Sequence, residues 1–437
     1  MSVIGSTSGR PPDTLGVPAI VAWAVAAVVL LVALALWQDN GYWEYSDGVY
    51  ALTARLVADG RDLYGDVAAA QPPPIYLAGA LVLSVSDTLT ALRIALAAVE
   101  LATSALVLAA VWRITGQRAA AVLAALVVLV SPWMLREHAQ LLPETFAAPL
   151  LLGAALAASR ARTVVLAGAL AALATAFKLA FGLPALALLL GVRLRGDRVR
   201  GLVAFAVAAV VLALLSLLLY GGGLLDGAVQ AQRESGTAGV SYVAGLWAQG
   251  AWNLLPLLAC ALLVVPLRAW LHDDDLLRTL AAGAAGALLL FLTLFKTGSY
   301  LTFLVVVEPL LVCLAAAGVV AAVRAGSAAL TAVAGVALLL GALQVGSLLL
   351  SPGDPRLFVR PLAESGPERK LSPAEVDAAV AQLRACPADR ATGAPPYLAF
   401  AAGRRIAGDQ PDQFILAHAP VLARFRAAAD ADQPRCP

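Results

Sequence analysis

Apolar residues in this chain fall into long unbroken runs, not into the spaced stripes of soluble amphipathic helices. A helix crossing the hydrocarbon core needs about 20 largely apolar residues. Eleven segments meet or approach that length: 18–36, 89–112, 118–134, 144–159, 163–178, 180–192, 201–220, 252–267, 277–295, 300–323 and 327–350. The runs 163–178 and 180–192 are short and read together as a kinked hairpin. The first run is long, lacks a small-residue cleavage site and continues into Trp37, so it reads as a retained helix and not as a signal peptide. The pattern predicts an all-α polytopic membrane protein of about 11 transmembrane helices.

Composition narrows the function classes. Charged residues make up 13% of the 437 positions, about half the ~25% of a soluble domain, too few to cover a water-exposed surface. A net charge of +2 leaves no basic field for nucleic acid, and the expected partner is the lipid bilayer. Only Lys178, Lys296 and Lys370 are lysines among 30 basic residues, a bias that points to a GC-rich bacterial source.

Arginine placement sets the orientation. With the N-terminus inside, cytoplasmic loops hold eleven basic residues (Arg113, Arg118, Arg160, Arg162, Arg193, Arg195, Arg198, Arg200, Arg268, Arg278 and Arg324). The opposite loops hold six (Arg55, Arg61, Arg136, Lys178, Arg233 and Lys296), as the positive-inside rule requires. The chain then divides into a cytoplasmic tail (1–17), a transmembrane module (18–350) and an extracytoplasmic segment (351–437) facing a plasma-membrane exterior. The long polar segments, 37–88, 221–251 and 351–437, all lie outside, so function is expected there.

In the first outer loop, 49–58 has the spacing of a short amphipathic helix ended by Asp59–Gly60. Prolines 72–74 stop any helix, and the apolar run 75–86 is too short to span but suits an interfacial helix. Tyr42, Trp43, Tyr45, Tyr50, Tyr64 and Tyr76 read as an aromatic belt at headgroup depth, making the loop a lipid-facing platform.

Three short motifs follow in this loop: Ser46-Asp47-Gly48-Val49-Tyr50, Gly60-Arg61-Asp62-Leu63-Tyr64 and Gln71-Pro72-Pro73-Pro74-Ile75-Tyr76. With Leu142-Pro143-Glu144, Lys296-Thr297-Gly298-Ser299-Tyr300 and Glu308-Pro309, they resemble the C-type (GT-C) glycosyltransferases, in particular the aminoarabinose-transferase-like and protein O-mannosyltransferase-like membrane enzymes. Many of these have Asp-Glu where this chain has Asp47-Gly48, so the second carboxylate is missing or supplied from elsewhere.

The resemblance implies a polyprenyl-phosphate sugar donor, transfer to an envelope acceptor on the outer face, and inversion. That chemistry needs a general base for the acceptor hydroxyl. Asp47 matches the family's base position, although an Asp there is also a preferred helix N-cap. Asp62 and Asp66 are alternatives that also suit turns beside Gly60 and Gly65. The leaving phosphate needs fixed positive charge. The candidates are Arg136, Lys178, Arg233 and Lys296, with Tyr300, and Arg93 at the outer end of its span; the competing reading for each cation is snorkelling. Tyr50, Arg61, Tyr64, Tyr76 and Glu144 are the candidate substrate contacts. His138, Glu137 and Glu144 cluster, but the three histidines show no paired ligand spacing, so no metal and no cofactor is expected. Glu100 and Glu308 lie inside spans, and charges there are functional candidates without an assigned role.

In the C-terminal segment, 372–385 is predicted helical, with Ser372 and Glu375 as a capping box. A Cys386–Cys436 disulfide would close a loop of about 50 residues, worth up to ~4 kcal/mol. Arg404 and Arg405 are possible acceptor contacts or a solvated basic turn. A lipid or sugar transporter is the main rival reading, with Glu100 and Glu308 as its midplane charges; a non-catalytic envelope assembly factor is the other.

Overall fold

A computed structural model describes residues 15–38, 45–350, 373–386, 390–391 and 395–431. The fold is that of an all-α polytopic membrane protein, and seven of its helical segments are long and apolar enough to cross a bilayer. In chain order the first helices are α1 (Val17–Gln38), α2 (Tyr45–Ala58), α3 (Pro74–Val85) and α4 (Leu89–Thr115). Then come α5 (Arg118–Leu129), α6 (Pro132–Arg136), α7 (Pro143–Ala158), α8 (Val164–Phe177), α9 (Gly182–Leu190) and α10 (Arg195–Leu225). The second half adds α11 (Ala231–Glu234), α12 (Val240–Leu262), α13 (Val264–Leu267), α14 (Asp274–Leu288), α15 (Leu304–Arg324) and α16 (Ala328–Leu350).

The seven long segments account for seven of the eleven predicted spans, and the other four fall on α5 to α9. At 1.5 Å per residue the 12 residues of α5 reach about 18 Å, short of a ~30 Å core. It stops where Pro132 removes a backbone donor, and α6 carries the chain on. The predicted hairpin is present: α8 ends at Lys178, whose extended backbone (φ −157°, ψ 123°) leads through a 3₁₀ turn into α9. Helix α15 is the axis of the bundle, packed against α4, α5, α7, α12 and α14, whereas α10 leaves most of its surface for lipid. At the arginine-rich end Arg113 bonds Asp273 at 2.5 Å and Ser159 at 2.9 Å, and Arg324 donates to Thr115 and Trp270 carbonyls.

Two expectations are corrected. The segment 221–251 is no long outer loop: α10 runs to Leu225, a π turn (Asp226–Gln230) and α11 follow, and α12 starts at Val240. Glycines 221–223 kept the apolar run from reading as continuous, and Gly221 does break it with φ 58°. The described tyrosines of the first outer loop are also no lipid-facing belt. Tyr50, Tyr64 and Tyr76 are buried under the C-terminal segment, because that segment brings its own apolar residues, Ala399 and Phe400, onto α2.

That segment comprises α17 (Pro373–Ala385), α18 (Pro396–Ala402), α19 (Gln413–His418) and α20 (Ala423–Ala431), with a two-residue parallel pair β1 (Arg390–Ala391) and β2 (Arg405–Ile406). The expected cap Ser372 lies outside the described residues; Cys386 is disulfide-bonded, and Cys436 also lies outside them. Arg404 is spent internally on the Leu383 and Cys386 carbonyls. The segment clasps the stretch between α1 and α4. Arg55 stacks 3.7 Å from the Phe400 ring and donates to its carbonyl, and the Gln410 side chain bonds Ala68 N–H and the Asp66 carbonyl. Arg61 pairs with Asp409 at 3.0 Å.

Gly48 is where α18 seats on α2, since a Cβ there would lie 2.8 Å from Tyr397 Cα and still nearer its nitrogen. Overpacking of this kind costs roughly 1–3 kcal/mol. Gly48→Ala is therefore expected to lower the melting temperature in micelles and to speed proteolysis after residue 372. Melting and cleavage indistinguishable from the parent would contradict this seating.

Candidate active site

The chain between α5 and α7 runs from Val130 to Leu142, and four of its N–H groups, those of Trp133, Met134, Ala139 and Leu141, are bonded to side chains instead of backbone. Buried backbone donors must be satisfied somewhere, and carboxylates are the strongest acceptors available. Three such groups converge here. Glu308 of α15, fully buried, accepts the Ser131 hydroxyl at 2.5 Å, Trp133 N–H at 3.1 Å and Met134 N–H at 3.3 Å. Glu100 of α4 accepts Ala139 N–H at 2.7 Å and bonds His138 Nδ1. Asp47 of α2 accepts Leu141 N–H at 2.7 Å. The two intramembrane glutamates are thus tethers of this segment.

Asp47 lies in the first turn of α2, 2% exposed, and Arg93 grips it in a two-pronged pair at 2.6 and 3.0 Å. Arg93 also donates to the Ala139 carbonyl at 2.6 Å and bonds Tyr397 from the C-terminal segment. Arg93 and Glu100 stand seven residues apart on α4, about 10 Å along the axis. They hold opposite sides of one residue, Ala139, whose φ of 53° is left-handed. A non-glycine residue held there stores roughly 1–3 kcal/mol of strain, a cost that concentrates at functional sites.

Cations gather at the two ends of the same segment. Arg136 lies over the Trp133 and Tyr300 rings, 4.9 and 5.0 Å from their centroids, bonds the Tyr300 hydroxyl at 3.2 Å and forms an ion pair with Glu137 at 3.1 Å. Lys178, at the α8–α9 break, bonds Glu144 at 2.7 Å, and Glu144 also accepts the Thr302 hydroxyl at 2.9 Å. Lys296 leads the segment that carries Tyr300 and Thr302, which is anchored by Ala238 N–H to the Phe295 carbonyl and Thr297 N–H to that of Gly236. Burial and the neighbouring Lys178 charge pull the Lys296 ammonium down to about 8, opposed by Asp412. Burial pushes Asp412 up to about 6, against its bond to Ile415 N–H and the Lys296 charge.

The structure therefore joins Asp47 with Arg93 and Arg136 with Tyr300, and sets Glu144 on Lys178. Tyr50 and Tyr76 meet edge to face at 5.8 Å, and the Tyr64 hydroxyl donates to the Gln71 carbonyl at 2.5 Å. Burial pushes the Tyr64 and Tyr76 phenols up. Arg61 stands apart, on Asp409. No group of three His, Cys, Asp or Glu suited to a metal ion occurs among the described residues. Sequence reasoning missed the tethering by Glu100 and Glu308, though their charge inside apolar runs was the signal. It also missed Tyr397 and Asp412, which no motif marks.

No family model matches the chain, and no curated protein matches it in sequence. Among solved structures it is similar to ArnT from Cupriavidus metallidurans bound to undecaprenyl phosphate, with TM-score 0.61 and 15% identity over 93% of this chain and 88% of that one. The apo state of the same protein gives TM-score 0.59 and 16% identity over 93% and 89%. At this identity the likeness shows the fold alone, an architecture shared over nearly the whole of both chains.

Proposed function

We propose that this chain is a multi-pass membrane glycosyltransferase that moves a sugar from a polyprenyl-phosphate donor to an envelope acceptor on the outer face, with its N-terminus cytoplasmic and C-terminus outside. The observation that carries this reading is the 131–144 segment itself: one tethered stretch bonds Asp47 through Leu141 and its partner Arg93 through Ala139, and meets the cations through Arg136 and Glu144. The ArnT-like fold supports it, one of those structures being a complex with undecaprenyl phosphate.

In this reading the acceptor hydroxyl attacks the anomeric carbon from the face opposite the phosphate. The C–O bond to phosphate breaks with its electron pair, and the configuration inverts. Asp47 takes the hydroxyl proton. Arg136, Lys178 and Lys296, with the Tyr300 hydroxyl, stabilise the departing phosphate. Arg93 holds the Asp47 carboxylate aimed until the hydroxyl arrives. Tyr50, Tyr64 and Tyr76 form a rigid wall; Glu144 positions Lys178, and Arg61 holds the C-terminal segment. A transporter would need free charge at depth, and Glu100 and Glu308 are committed to backbone.

Purified protein in detergent micelles, given a panel of polyprenyl-phosphate sugars and envelope extract, is expected to release free polyprenyl phosphate. Micelles have no two sides, so a flippase cannot score. An extract that supports a control glycosyltransferase but yields no release from any donor would contradict the reading. A pH dependence follows from Lys296, which must be protonated to hold an anion. Affinity for polyprenyl phosphate is expected to fall as pH rises through about 8, read by a binding titration from pH 7 to 9.5. A flat profile would remove Lys296 from the site.

A further inference from the structure

The C-terminal segment carries a carboxylate to the donor-side cations. Residues 411–414 are pinned to the start of α2, where the Tyr45 hydroxyl stands 3.5 Å from the Pro411 carbonyl and accepts Phe414 N–H at 3.4 Å. On the other side the Phe414 ring presses on Gly298: a Cβ there would lie 2.7 Å from ring Cζ, and the φ of 78° also favours glycine. Asp412 sits between these two anchors. It caps α19 by accepting Ile415 N–H at 3.0 Å, and with the Phe414 ring on Gly298 it stands close enough to Lys296 for its negative charge to favour the ammonium, without forming a direct ion pair. Lys296 itself donates to the Thr297 carbonyl at 3.3 Å.

We propose that Asp412 is the resting-state counter-ion of the donor-phosphate site: it balances Lys296 until a lipid-borne phosphate takes its place, and it drives polyprenyl phosphate out again after transfer. This rests on the reading of Lys296 as a phosphate ligand. The donor's phosphodiester carries a single negative charge, whereas the phosphate monoester left after transfer carries up to two, so the carboxylate disfavours the product more than the donor. Once sugar has left, phosphate and carboxylate repel each other across the same ammonium. A carboxylate beside the ammonium thus favours release of the more highly charged product, a step that often limits kcat.

Asp412→Asn tests this cleanly, because Asn caps a helix as well as Asp does and only the charge is lost. The variant is expected to bind polyprenyl phosphate on the order of tenfold more tightly, the effect of removing one partly buried like charge. It is also expected to show a lower KM for donor together with a lower kcat, because product leaves more slowly. In a Lys296→Met background, which itself binds polyprenyl phosphate weakly, the gain from Asp412→Asn is expected to disappear. Weak binding by Lys296→Met with Asp412→Asn within twofold of the parent would overturn the counter-ion role and leave the phosphate site standing. Unchanged binding by Lys296→Met would overturn both.

Discussion

Asp47→Asn is expected to abolish transfer, lowering kcat by about 10²–10⁴-fold, the range of a lost general base. Asn keeps a side-chain oxygen to accept Leu141 N–H, so the 2.7 Å tether of the 131–142 segment survives. What disappears is the carboxylate that receives the proton. The change falls mainly on kcat, since the phosphate-holding cations are attached through other contacts: Arg136 through Tyr300 and Lys178 through Glu144. Arg93 loses its charged partner but retains the Ala139 carbonyl, so a moderate fall in melting temperature is expected as well. Initial rates at saturating donor, set beside melts of both proteins, separate chemistry from folding. Release that persists at the parental rate would move the base to Asp62 or Asp66.

Glu308→Ala is expected to be the most destabilising single change in the bundle. Glu308 is fully buried in the central helix and satisfies three donors, the Ser131 hydroxyl and the N–H groups of Trp133 and Met134. Each buried donor left unmade costs roughly 1–3 kcal/mol, with incomplete additivity, so a total of about 3–5 kcal/mol follows. Gln is isosteric and keeps one acceptor oxygen, and Glu308→Gln is expected to fall between. Thermal melts in micelles give the order parent, Gln, Ala. Parental stability for Ala would show that the segment is held by other means.

Much of this is legible in the amino-acid sequence. Unbroken apolar runs locate the spans because lipid demands them, and Asp47, Arg136, Tyr300 and Lys296 stand out as polar groups at the outer ends of such runs. The lengths of α5 to α9 were not legible. Hydropathy finds these apolar runs but does not show where Pro132 and the extended Lys178 cut their helices short. Pairings were hidden for a different reason: Arg93 and Asp47 are 46 residues apart, and Glu308 and Trp133 are 175 apart, so no local pattern joins them. The inward turn of Tyr50, Tyr64 and Tyr76 depends on α18, whose docking on Gly48 is a matter of shape. A missing side chain at position 48 reads in sequence as a lost carboxylate; in the fold it is the seat of Tyr397.

The most direct test is an experimental structure of the full chain in a lipid nanodisc with polyprenyl phosphate bound. The phosphate is expected between Arg136, Lys178 and Lys296, beside Tyr300, on the side of the 131–144 segment that faces the Asp47–Arg93 pair. A phosphate bound at the opposite end, among Arg113, Arg324 and the arginines near 195–200, would contradict the account.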